Sequence, residues 1–99
     1  MVLPSYLQQN HGKLFVTGGG LSLSGDPRMT ALSMGKAAQR NLVQAFQKKV
    51  DGTNVHIAQV IVRGYVQPSD EKYNPTAIAE IFWKLFLQQP GEFELEIIY

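Results

Sequence analysis

One stretch, residues 53–62 (TNVHIAQVIV), limits the folds open to this chain more than any other. Side chains alternate across a strand, and here both files are apolar. Val55, Ile57 and Ile61 form one file; Ala58, Val60 and Val62 form the other. Such a strand needs a covering layer on each face, which places it inside a sheet. Upstream lies a long helical pattern, and before that a short run of strand formers, residues 13–17 (KLFVT). Strand, long crossover and strand make the parallel unit, which is almost always right-handed.

The crossover is expected over residues 26–49, opening at Asp26 and closing at Lys49. Lys36, Arg40, Gln44, Gln47 and Lys48 recur at helical spacing, with Leu32, Ala38, Leu42, Ala45 and Phe46 on the opposite, apolar side. Asp26 suits the cap, Pro27 the first helical position, and Asp51-Gly52 the left-handed exit. Ala31, Gly35 and Ala38 fall about one turn apart and would let another backbone approach closely.

In chain order, residues 2–9 read as a short helix stopped by Asn10-His11-Gly12. The strand at 13–17 is closed by a loop beginning Gly18-Gly19-Gly20. Residues 63–70 form a polar loop leaving the carboxyl end of the central strand, the edge at which open α/β sheets hold ligands. Asn74-Pro75 caps a second long helix, whose Ile78, Ile81, Phe82, Leu85 and Phe86 make a stripe that Ala79, Trp83 and Leu87 widen until it is nearly buried all round. Residues 92–99 alternate Phe93, Leu95, Ile97 and Tyr99 on a dry face with a largely acidic one, as a last strand should. The expected fold is α/β: a single domain, residues 1–99, with a three-stranded parallel sheet and flanking helices. So thin a body leaves apolar surface uncovered.

Composition narrows the function. A net charge of +1 gives no reason to invoke nucleic acid or an anionic membrane. No run reaches the ~20 apolar residues of a membrane span. The absence of cysteine removes disulfides and thiolate metal sites and leaves the cytoplasm as the expected compartment. His56 has no second histidine beside it and reads as a satisfied, half-buried side chain rather than a metal ligand. Trp83 with Phe82 and Phe86 reads as core or interface, and Tyr65 as an exposed loop aromatic.

Four segments, GKLFVTGGG, ALSMGKAAQRNLVQAFQKK, NVHIAQVIVRGYV and NPTAIAEIFWKLFLQQP, resemble in order and spacing the carboxyl-terminal half of a short-chain dehydrogenase/reductase. The resemblance covers essentially the whole chain and implies a Rossmann-like half, an NAD or NADP cofactor, and hydride transfer at a carbonyl or alcohol carbon. It places Lys36 at the family's ribose-binding lysine, with Gly18, Gly19 and Gly64 on the cofactor side. At the family's general-acid tyrosine stands Leu32, which has no proton to exchange. The family's glycine-rich pyrophosphate loop has no counterpart in these 99 residues. Two functions are therefore expected: a remnant or excised piece of an oxidoreductase, inactive and without cofactor as this chain alone, or a non-catalytic module that keeps the family's oligomerising surfaces. The partner in either case is a second copy, met through the 26–49 helix or the carboxyl-terminal strand.

Overall fold

The computed structural model describes residues 3–99 and has the α/β form expected. Its elements run α1 (Leu3–Gln9), β1 (Gly12–Gly19), a 3-10 turn (Gly20–Ser22), α2 (Thr30–Lys49), β2 (Val55–Val62), α3 (Pro75–Leu87) and β3 (Glu96–Ile98). The sheet order is β1-β2-β3, parallel throughout, with Gly12 beside Val55 and Gln59 beside Glu96. All eight β2 residues are buried. Leu3, Val43, Val50, Val55 and Ile57 form the core beneath α1 and α2, and Ala58, Val60, Val62 and Leu85 form the core beneath α3. Val2, expected in the first helix, lies outside the described residues.

Several local expectations are corrected. The glycine run is not a loop, because Gly18 and Gly19 end β1 and Gly20 opens the 3-10 turn. Helix α2 starts at Thr30, not beside Pro27, and its N-cap, Met29, offers no side-chain cap. Asp26 is otherwise engaged: its carboxylate accepts from the Arg28 backbone N–H at 2.8 Å and pairs with the Arg28 guanidinium, while its own N–H donates to Ser33 Oγ at 3.0 Å. That pairing holds the Asp26 carboxyl below its usual pKa. The last strand is only three residues long, and Leu95, expected on the dry face, is 47% exposed.

The larger correction is the face of α2. Leu32, Ala38, Leu42 and Ala45 point outward and are exposed, whereas Ser33, Lys36, Arg40, Val43 and Gln47 lie on the covered side. Burying polar groups costs free energy unless each finds a partner. Arg40 makes a two-point ion pair with Glu96 at 2.7 and 2.9 Å, which keeps the Glu96 carboxyl below its ordinary pKa. Gln47 Nε2 donates to the carbonyls of Ile57 at 3.1 Å and Leu95 at 2.7 Å. The polar file ties helix to sheet, and of the expected apolar file only Phe46 packs on the core, while Leu32, Ala38, Leu42 and Ala45 are left outside.

Helix α3 starts as its sequence indicates, with Asn74 Oδ1 accepting from Ala77 N–H at 2.8 Å and Pro75 in the first turn. It is not buried all round: only Leu85 is fully covered, and Trp83, Phe86 and Leu87 stay about half exposed. Leu85→Ala should cost about 2–5 kcal/mol, since a wholly buried leucine leaves a cavity that its neighbours fill only in part. Denaturant unfolding with an unchanged m-value checks it.

His56 is fully buried, against the half-buried expectation. It stacks on Phe93 with 4.0 Å between ring centres and meets the edge of Phe15. Nε2 stands 2.7 Å from the Glu94 carbonyl, which can only accept, so the proton is on Nε2 and Nδ1 is left without a partner. Burial, helped by the charge of Lys13 and opposed by the Glu94 carbonyl, lowers its pKa below 6.5. A lowered histidine pKa means that the unfolded chain takes up the proton first as pH falls. This contribution to stability is complete above the unfolded value of about 6.5 and drains away below it. Unfolding free energy should drop between about pH 7 and pH 5, and His56→Phe should flatten that dependence.

Candidate functional site

The carboxyl ends of β1 and β2 and the first turns of α3 enclose a cleft of about 520 Å³. Thr17, Gly18 and Gly19 form one wall, Val62, Gly64 and Val66 the floor and far rim, and Ile78, Ala79 and Phe82 the side given by α3. The lining is mostly apolar. Its one side-chain hydroxyl is that of Thr17, and no titratable side chain lines it. A smaller hollow of about 360 Å³ lies at the opposite sheet edge, where Gln47 and Leu95 meet the 51–55 turn.

Three of the glycines singled out from the sequence bound this cleft, each for its own reason. A methyl group at Gly18 would lie 2.6 Å from Ile61 Cδ1, so this glycine serves strand packing. Any Cβ at Gly64 would run into the ring of Tyr73. Gly19 is different: the nearest atom to a methyl there, outside its chain neighbours, is Lys36 Cε at 4.0 Å, so the space is open. Lys36 is thus brought from α2 to the end of β1, half-buried and outside both ion pairs of the described residues, Arg28–Asp26 and Arg40–Glu96. Leu32 is 52% exposed and does not line the cleft.

The 63–74 loop that closes the rim is organised by Tyr73. Asp70 accepts from the backbone N–H groups of Lys72 at 2.8 Å and Tyr73 at 2.7 Å, and these bonds hold its carboxyl below the usual pKa. Gln67 N–H donates to the Tyr73 carbonyl at 2.9 Å. The Tyr73 ring meets Tyr99 edge-on with 5.6 Å between centres, and its hydroxyl donates to the Tyr99 carbonyl at 3.3 Å. Tyr65, noted for its exposure, is 84% exposed and takes no part in the lining. The α3 wall was not foreseen, although the position of Asn74-Pro75 just after the ligand-edge loop is the signal that brings Ile78 and Ala79 there.

Such a cleft can hold a flat, uncharged group against backbone and aliphatic carbon; Lys36 does not line it, and its Cε comes near only at Gly19. Among the described residues, no cluster of metal-ligating side chains is present and no helix is long and apolar enough to cross a membrane. Gly64→Ala should destabilise the fold by about 1–3 kcal/mol through overpacking against Tyr73. Gly19→Ala, with open space, should stay within about 0.5 kcal/mol, as thermal unfolding of both variants would report.

No family model, curated protein or solved structure matches the chain.

Proposed function

We propose that this chain is a short-chain dehydrogenase/reductase-like carboxyl-terminal unit, cytoplasmic, carrying the nicotinamide side of an NAD or NADP site without turning over on its own. The observation that supports it is the meeting of Lys36 with Gly19 at the end of β1, on the rim of an apolar cleft closed by Gly64. The residues fit the cofactor's nicotinamide end: open space at Gly19, aliphatic walls, and an ammonium able to bond a ribose hydroxyl. When bound, that cofactor supplies a hydride. The chain's own residues contribute walls, exclusion of water and one cation, and Leu32 supplies no acid.

The same inventory sets the expected affinity. One lysine at a partly exposed site offers on the order of 1 kcal/mol, against the ~4 kcal/mol that even millimolar binding requires. NADH or NADPH titrated against the chain should therefore give no saturable amide shifts below about a millimolar, and no alcohol or carbonyl substrate should change nicotinamide absorbance. Protein-proportional turnover lost in Lys36→Ala would overturn the inactivity. Tight binding lost in the same variant would show that Gly19 and the Gly64 loop make a complete site.

A second reading, an assembly module, rests on the outward stripe of α2. Ala31, Met34, Gly35, Ala38 and Leu42 are all exposed, with Met34 at 71% and Leu42 at 55%. Small residues flanked by large apolar ones suit a helix crossing its own copy about a two-fold axis. Ala38→Glu should weaken that association about tenfold in light scattering, a loss of about 1.4 kcal/mol.

A further inference from the structure

At the amino-terminal end of β2, away from the cleft, the hollow of about 360 Å³ adjoins a more open one of about 500 Å³, and Gln47, Asp51 and Leu95 line both. Val50, Val55 and Phe93 give the inner hollow apolar walls. Two turns close it, each built on a left-handed glycine, Gly52 at φ 76° and Gly91 at φ 90°.

The polar groups around this hollow are unevenly used. Gln47 is 8% exposed, and both hydrogens of its Nε2 are taken, by the Ile57 carbonyl at 3.1 Å and the Leu95 carbonyl at 2.7 Å. Among the described residues, the sealed side-chain atoms without a partner are His56 Nδ1 and Gln59 Nε2. Gln47 Oε1 is not sealed, and it is the end of the amide left to face the hollow that this side chain lines. The donors of the neighbouring turn are spent as well. The N–H of Asp51 goes to the Lys48 carbonyl, that of Thr53 to the Val50 carbonyl, that of Asn54 to Asn10 Oδ1, and that of Val55 to Thr53 Oγ. The Thr53 hydroxyl itself donates to the Val50 carbonyl. Asp51 is exposed and takes part in neither ion pair of the described residues, and Lys48 lines the outer hollow only.

We propose that this hollow is a binding site for a small organic cation, a primary ammonium carried on a short apolar body. A pocket whose donors are committed and whose acceptors are free selects a ligand that donates. One carboxylate without a counter-ion makes a cationic donor the better partner, because charge-assisted hydrogen bonds are the stronger ones. The ammonium donates to Gln47 Oε1 and to the Asp51 carboxylate, and the apolar body rests against Val50, Val55 and Phe93, the usual division of labour in a small-molecule pocket. A bare metal ion fits less well, since no group of three ligating side chains is present among the described residues. The site is separate from the cleft at the carboxyl end of the sheet and does not depend on the function proposed for it.

2-Phenylethylamine titrated against the isotope-labelled whole chain tests the site. The side-chain amide of Gln47 and the backbone amides of Gly52 and Thr53 should shift together and half-saturate below about 5 mM, while those of Gly18 and Gly64 in the cleft stay still. Asp51→Asn keeps the shape of an exposed side chain and removes its charge. It should raise the dissociation constant about fivefold, with amide signals unchanged away from the turn. Neutral 2-phenylethanol should bind the unaltered chain at least about tenfold more weakly than the amine, and 3-phenylpropionate should not bind. Absence of saturation up to about 50 mM amine overturns the proposal, as does an affinity untouched by Asp51→Asn. Equal binding of alcohol and amine overturns it too, leaving an apolar hollow with no preference for charge.

Discussion

Everything in this fold depends on the simultaneous covering of both faces of β2. Val55 and Ile57 face one small core and Ala58, Val60 and Val62 the other, and β1 adds Leu14 and Val16 to the first and Phe15 to the second. Neither core is large enough to stand without that shared wall, for a chain of this size buries only about two-thirds of its unfolded surface. The other two strands differ from β2 in what they lack: β1 has a neighbour on one side only, and β3 pairs for just three residues.

Helix α2 shows how such a thin body closes. Its sheet-facing side carries residues that usually stay in water, and two of the longer ones find partners beyond their own element: Arg40 on β3, and Gln47 on β2 and on the segment entering β3. Directed bonds work there beside a short apolar contact, in which Val43 and Phe46 meet the α1–α2 core. Leu32, Ala38, Leu42 and Ala45 are left outside, where they can serve as a contact, while Lys36 on the inner file reaches the end of β1. Packing face and candidate site are thus two parts of one row of polar side chains.

Much of this was legible from residues alone. The double apolar alternation of β2 named the central strand, the long crossover implied parallel pairing, and Asn74-Pro75 and Gly52 marked a helix start and a left-handed turn that the structure contains. The inner face of α2 was not legible, because periodicity separates two faces without saying which one has partners waiting. Those partners come from Glu96, 56 residues away, and from main-chain carbonyls. Leu95 escaped the alternation for the same reason: its carbonyl is taken by Gln47, and the side chain follows the backbone outward. At the site, the glycines could be recognised as special, but the tyrosine ring that makes Gly64 necessary is set by a loop whose geometry depends on Asp70.

The segment entering β3 is held from above and below the sheet at once. Gln47 takes the Leu95 carbonyl on one face, and His56 donates to the Glu94 carbonyl on the other. Were this short strand to peel away, it would strand two buried side chains and lose the ring stacked on His56. Short edge strands usually fray with little penalty, but here detachment would leave polar groups unsatisfied in both layers. The chain's least extensive strand is therefore coupled to its most buried one, and local opening of β3 becomes an event of the whole domain.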